Sequence, residues 1–242
     1  MSHAARCLVV MILSCLVTRE APGADIETPG LRATQVTVAI ERDGSRRQFR
    51  ATVMARADET MTLLTAAHCL SAEDQGGPAL LILDGSEIVE GTVLSIIRNP
   101  SYRVHDGREV PGPDNAVIRL GFEGSKRPGG PAFQAIQPAP ALSARCFPGP
   151  VGQTVAVRMI DGRGVEHAVR AGNYSNPRWL EWGPAYKPIP GDSGGGVFVV
   201  REGSDGKPRP ILIGIIVGRD DKGGGASLVS LDQRWLSDAL PR

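Results

Sequence analysis

The sequence predicts an all-β protein of two six-stranded bodies, joined by an extended connection and closed by a short C-terminal helix. Three observations lead there. Glycine, at 30 residues, and proline, at 19, punctuate the 242-residue chain too often for a helical bundle or a coiled coil. Short runs rich in β-branched residues recur between turn signals in two sets of six. Between the sets, from Gly121 to Pro150, the composition shifts to Gly, Pro and Ala.

The first set runs Gln35 to Ile40, Phe49 to Met54, Met61 to Leu64, Ala79 to Leu83, Ile88 to Arg98 and Ala116 to Leu120. The connection holds Arg127 to Pro131 and Gln137 to Pro140, segments suited to an extended crossing between two bodies. The second set is Thr154 to Ile160, Val165 to Arg170, Trp179 to Trp182, Gly195 to Val200, Pro210 to Val217 and Ala226 to Leu231. Near the end, Leu231, Trp235, Leu236 and Leu240 stand at near-helical spacing, which fits a closing amphipathic helix. The expected division is 25–125 for the first body, 126–150 for the connection and 151–242 for the second.

Hydrophobic residues at 41% and charged residues at 22% exclude a disordered chain. With 27 basic against 26 acidic side chains, and with Arg46–Arg47 and Lys126–Arg127 as isolated pairs, no nucleic-acid footprint exists. Residues 1–24 read as a secretory signal peptide: Arg6, an apolar stretch from Cys7 to Val17, then small residues at Ala21, Gly23 and Ala24. That apolar stretch is too short to span a bilayer as a helix. The expectation is a secreted or periplasmic monomer with no membrane association after processing. Lipoprotein processing at Cys15 is a poorer fit, because Leu13 and Ser14 stand where small residues are needed. Removing the signal leaves Cys69 and Cys146, which is no disulfide framework; a bridge between them and a free thiol at Cys69 both remain open.

Three separated segments carry the parts of a hydroxyl nucleophile system. Thr65-Ala-Ala-His-Cys69 follows a buried-looking strand, Asp114-Asn-Ala-Val-Ile-Arg-Leu120 opens another, and Gly191-Asp-Ser-Gly-Gly-Gly196 forms a turn before an apolar strand. Each alone is ordinary: a packed histidine, a turn aspartate, a glycine-rich turn. Together they match a chemical need. A serine hydroxyl requires a base to take its proton, an imidazole suits that task near neutral pH, and a buried carboxylate holds the imidazole in the right tautomer. Glycines beside the serine let main-chain N–H groups converge on a developing oxyanion.

On these segments the chain resembles the trypsin/chymotrypsin family of serine endopeptidases over nearly all of residues 25–242. The order His, Asp, Ser is the family's, and so is the layout of two six-stranded antiparallel β-barrels with a short C-terminal helix. Ile96-Ile-Arg-Asn-Pro-Ser-Tyr102 and the strand segment Gly214-Ile215-Ile216 are similar to family segments as well. The resemblance implies Ser193 as nucleophile, His68 as general base and then acid, Asp114 as orienting carboxylate, and the N–H groups of Gly191 and Ser193 as oxyanion hole. It implies no metal or organic cofactor, and a peptide or protein as substrate.

The chain also departs from that pattern. Phe49 to Met54 has no cysteine to pair with Cys69, and Val217-Gly218-Arg219 stands where the family has Ser-Trp-Gly. No Ile-Val-Gly-Gly start precedes the first strand, so Asp192 needs another cation if buried, and the resemblance to bacterial members with a substitute arginine on the strand after the connection implies Arg158 as that partner. Activity without zymogen cleavage follows from that expectation. In the family the residue six before the nucleophile lies at the base of the side-chain pocket, so the resemblance implies Lys187 there, and with Arg219 on the pocket wall it would favour Glu or Asp in the substrate. A count shifted by one residue puts Tyr186 there instead, and a small or apolar preference stands beside the acidic one. The competing function is a non-catalytic homologue acting as a protein-binding module, although no member of the triad is missing. An α/β-hydrolase is excluded by chain order.

Overall fold

The computed structural model describes residues 30–83, 87–102, 104–105, 108–109, 113–122, 130–139, 154–172, 179–203, 205–220, 223–228 and 233–240. The signal segment, Cys15 and Cys146 lie outside them. Among the described residues, no helix is long and apolar enough to cross a membrane.

All twelve expected strands are present. The first body contains β1 (Gln35–Arg42), β2 (Ser45–Arg56), β3 (Thr60–Thr65), β4 (Pro78–Leu83), β5 (Glu87–Arg98) and β8 (Ala116–Gly121); a small hairpin, β6 (Val104–His105) and β7 (Arg108–Glu109), lies before β8. The six long strands close into an antiparallel barrel in the order β1-β2-β3-β8-β5-β4. The β1–β2 hairpin turns on Asp43 and Gly44, both at positive φ, which matches the handedness of the strands they join. Bulges in β2 near Met54 and in β5 near Leu94 add the local bend that closure demands. Val36, Val38 and Ile40 point from β1 into the barrel core. The opposite face of β1 is also buried at Gln35 and Thr37, because it turns toward the second body.

The second body contains β9 (Thr154–Ile160), β10 (Glu166–Gly172), β11 (Trp179–Trp182), β12 (Gly196–Glu202), β13 (Pro208–Asp220) and β14 (Gly223–Leu228). They form a second antiparallel ring, β10-β11-β14-β13-β12-β9. It closes through short ladders, Val197↔Met159 with Phe198↔Arg158 on one side and Ala171↔Trp182 with Gly172↔Glu181 on the other. The glycines that open β14 leave room for aromatic rings: a Cβ on Gly224 would lie 2.6 Å from the Trp182 ring, and one on Gly225 would lie 2.7 Å from the Trp179 ring. That packing moves the strand's start three residues ahead of the expected Ala226.

Between the barrels lies a third apolar cluster that includes Leu31, Leu64, Val117, Phe198, Ile215 and Leu236. Leu236 comes from the closing helix Gln233–Ala239, which lies within the segment expected for it. The connection is not wholly extended. A helical turn, Pro131–Ala135, starts on a proline whose fixed φ suits the first helical position, and Phe133 docks edge-on against Phe122 with centroids 5.8 Å apart. Arg56 donates to the Phe133 carbonyl at 2.7 Å, so the turn is pinned to the first barrel.

Candidate active site

His68 stands in a short 3-10 turn, Ala67–Cys69, at the end of β3, and Asp114 precedes β8, the strand paired with β3. The pairing of Thr65 with Ala116 therefore brings the two together. Both carboxylate oxygens of Asp114 are used by His68: the main-chain N–H donates to Oδ1 at 3.0 Å, and ring Nδ1 lies 2.6 Å from Oδ2. This puts the ring proton on Nδ1 and leaves Nε2 as the basic nitrogen. Asp114 is 4% exposed, and its own N–H donates to the buried Ser227 hydroxyl at 3.1 Å. Burial works against a charge on His68, but the Asp114 carboxylate, with Cys69 beside it, more than offsets that and raises the pKa well above 6.5.

Side chains brace the segment after His68. Arg47 ion-pairs with the buried Asp74 and donates to the Cys69 carbonyl at 3.3 Å, while Arg98 donates to the Leu70 carbonyl. Asp74 also accepts from the Ser71 N–H at 2.6 Å in a capping box. Cys69 is partly buried beside His68, and Cys146, with which a bridge was left open, lies outside the described residues.

The Ser193 turn is held differently. The Ser193 carbonyl accepts from Arg50 N–H at 2.8 Å, on β2 of the first barrel, and Gly194 N–H donates to the Ile216 carbonyl at 2.8 Å, on β13 of the second. Gly194, at φ +88°, packs so closely that a Cβ would sit 2.0 Å from both the Arg50 carbonyl oxygen and Thr65 Oγ1. Thr65 is three residues from His68, so this contact ties the serine turn to the end of the histidine strand. Gly196 N–H donates to Gln35 Oε1 at 2.9 Å, a second link across the barrels. Within the turn, the N–H groups of Asp192, Gly194 and Gly195 all find main-chain acceptors. Those of Gly191 and Ser193 have none among the described residues, so two donors near the serine are left for a ligand.

Asp192 is fully buried, and its partner is not Arg158. It accepts from the Tyr186 hydroxyl at 2.8 Å, from Ile189 N–H at 2.8 Å and from Gly162 N–H at 2.7 Å. Arg158 instead donates to Glu166 at 2.9 Å, a diagonal contact across the β9–β10 ladder that its strand position favours. Burial and the neighbouring carboxylate push the Tyr186 hydroxyl pKa up, which keeps its proton available to Asp192. Arg50 and Arg163 are the cations in the field of Asp192 among the described residues, and only Arg50 is buried. His167 stacks on Tyr186 at 4.2 Å and bonds to Asp161 at 3.0 Å, which Arg163 also engages. Burial alone would raise the Asp161 pKa; the bonds from His167, Val165 N–H and Arg163 prevail and bring it to about 2.

Lys187, Val217, Gly218 and Arg219 were the residues expected to bind substrate. Lys187 is exposed while Tyr186 and Pro188 on either side are buried, because an extended segment alternates faces and Tyr186 turns inward to Asp192. It therefore does not form a buried pocket base, and Tyr186 is committed to Asp192. Val217 sits at a bulge in β13, and its side chain, 5% exposed, packs in the cluster between the barrels. Gly218 is half-buried with open space around its Cα. Arg219 pairs with Gly224, and its side chain lies outside the described residues. Among the described residues, no group of three His, Cys, Asp or Glu side chains could hold a metal ion. Arg50 and Ser227 were missed by sequence reasoning; Thr65 was read only as the start of the histidine motif, and Tyr186 only as an alternative pocket residue and not as the partner of Asp192. No family model and no curated protein matches the chain.

Proposed function

We propose that the protein is a secreted serine endopeptidase of chymotrypsin-like fold, resembling the trypsin/chymotrypsin family. The observation that carries this reading is the His68–Asp114 pair, tied by the Gly194–Thr65 contact to a serine turn with two unused N–H donors. In the proposed reaction His68 Nε2 takes the proton of Ser193 Oγ as that oxygen adds to the scissile carbonyl. Asp114 stabilises the imidazolium, and the N–H groups of Gly191 and Ser193 receive the oxyanion, donors of a kind worth about 3–4 kcal/mol each. His68 then protonates the leaving amine, and water, activated in the same way, releases the acyl group from Ser193. Because Asp192 is satisfied by Tyr186 and two main-chain N–H groups, the turn needs no inserted amino terminus, which supports activity without zymogen cleavage.

A fluorophosphonate probe should label Ser193 in the purified chain and fail on Ser193→Ala, which should also lose nearly all peptide cleavage while keeping its circular dichroism. No labelling of a folded chain would favour the non-catalytic homologue instead. The base must be neutral to act, and its pKa is raised. Activity should therefore climb with pH, with a midpoint above the ordinary value of about 6.5. A pH–rate profile with a midpoint at or below that value would contradict the part assigned to Asp114.

A further inference from the structure

A cavity of about 760 Å³ lies between the first barrel, the helical turn Pro131–Ala135 and the Ile160–Gly164 segment of the second barrel. Its lining does not include His68, Asp114 or Ser193. Ile82, Ile136 and Ile160 give it apolar surface, and Arg32, Arg50 and Arg163 give it guanidinium groups. Arg50 is the unusual one. It is 8% exposed, donates from Nη1 to Thr37 Oγ1 at 3.1 Å, and has a buried Nε without a hydrogen-bond partner.

Burial disfavours the Arg50 charge, and the carboxylates that favour it, Asp192 and Asp161, act only through their field. Both are otherwise engaged: Asp192 with Tyr186, Ile189 and Gly162, and Asp161 with Arg163, Val165 and His167. Arg163 is 69% exposed in its side chain and already clasps Asp161. A buried guanidinium with no carboxylate in direct contact, lining a cavity of this size, is a built anchor for an anion. An inorganic ion would answer the charge and leave the isoleucines wet. An ammonium would meet three arginines.

We propose that this cavity binds a small organic carboxylate with an apolar body, its carboxylate on Arg50 and its apolar part on Ile82, Ile136 and Ile160. The site matters because the same Arg50 holds the Ser193 carbonyl with its N–H and accepts from Thr65 Oγ1 with its carbonyl at 2.8 Å. A ligand here touches the residue that joins the serine turn to the first barrel. The proposal does not depend on the endopeptidase reading.

The test is calorimetric titration of the full chain with octanoate, octylamine and inorganic sulfate. Octanoate should bind once per chain, and Arg50→Gln should weaken it at least about tenfold, the loss of one charge-assisted pair. Because Arg50→Gln disturbs a buried site and can impair folding, Ala135→Glu provides the second variant. Ala135 is exposed on the cavity lining, so a carboxylate there should leave the melting temperature unchanged and weaken octanoate by a similar factor. The proposal is overturned if octanoate does not bind, if both variants bind it as the wild type does, or if octylamine or sulfate binds as tightly.

Discussion

The two halves of the site are built by opposite means. On the His68 side, Arg47, Arg98 and Asp74 brace the chain with side chains reaching across the first barrel. On the Ser193 side, main-chain hydrogen bonds to Arg50 and Ile216 and a glycine with no room for a Cβ do the holding, while a buried carboxylate organises the loops behind it. Side-chain braces can be removed one at a time, with water filling the gap. Main-chain contacts at closest approach cannot, because any added atom must displace two strands. The histidine half should therefore degrade gradually under substitution, and the serine half abruptly.

Gly194→Ala should have the largest effect. Its methyl would lie 2.0 Å from the Arg50 carbonyl oxygen and Thr65 Oγ1, at a φ that L residues rarely adopt. A loss of more than about 4 kcal/mol, or a chain that does not fold, is expected in urea denaturation. A variant with wild-type stability would show that the serine turn is not clamped in this way. Next comes Asp192→Ala, which strands the Tyr186 hydroxyl and the N–H groups of Ile189 and Gly162 and leaves Arg50 without its nearest compensating field. About 3–5 kcal/mol should be lost, with the Tyr186 hydroxyl titrating at lower pH by ultraviolet absorbance.

Arg47→Ala tests the other half. Asp74 loses its cation but keeps the Ser71 N–H, and the Arg47 side chain is 38% exposed, so water can reach the vacated place. A cost of about 1–3 kcal/mol is expected from chemical denaturation, smaller than for Asp192→Ala; an equal or larger cost would erase the contrast between the halves. Lys187→Ala should do least. The residue is exposed, so stability should move by no more than about 0.5 kcal/mol, and preference among peptide substrates by less than about twofold. A large loss of cleavage after Glu would restore Lys187 to a substrate pocket.

Much of this architecture was legible before any coordinates. Strand runs such as Met61 to Leu64 and Thr154 to Ile160 were readable because β-branched and apolar side chains between turn residues express a local preference. The same holds for the motif residues His68 and Asp114, since a histidine just after one strand and an aspartate just before another meet if those strands pair antiparallel. The helical turn at Pro131 was missed because Phe133 folds it against the first barrel, a contact that no local composition announces. Arg158 was assigned to Asp192 by the family resemblance, yet its side chain meets Glu166 across the β9–β10 ladder.

By itself, then, the sequence determined the strands, their division into two sets, and the three segments in which His68, Asp114 and Ser193 stand, because those features depend on nearest neighbours along the chain. Only the tertiary structure decided that Tyr186 serves Asp192, that Ser227, 113 positions away, receives the Asp114 N–H, and that Arg50 lies buried between Ser193 and a cavity. The physical reason is that a buried polar group must be satisfied by whatever the closed barrels bring within hydrogen-bond reach. That choice is made by strand register and side-chain direction, which emerge only when both rings have closed.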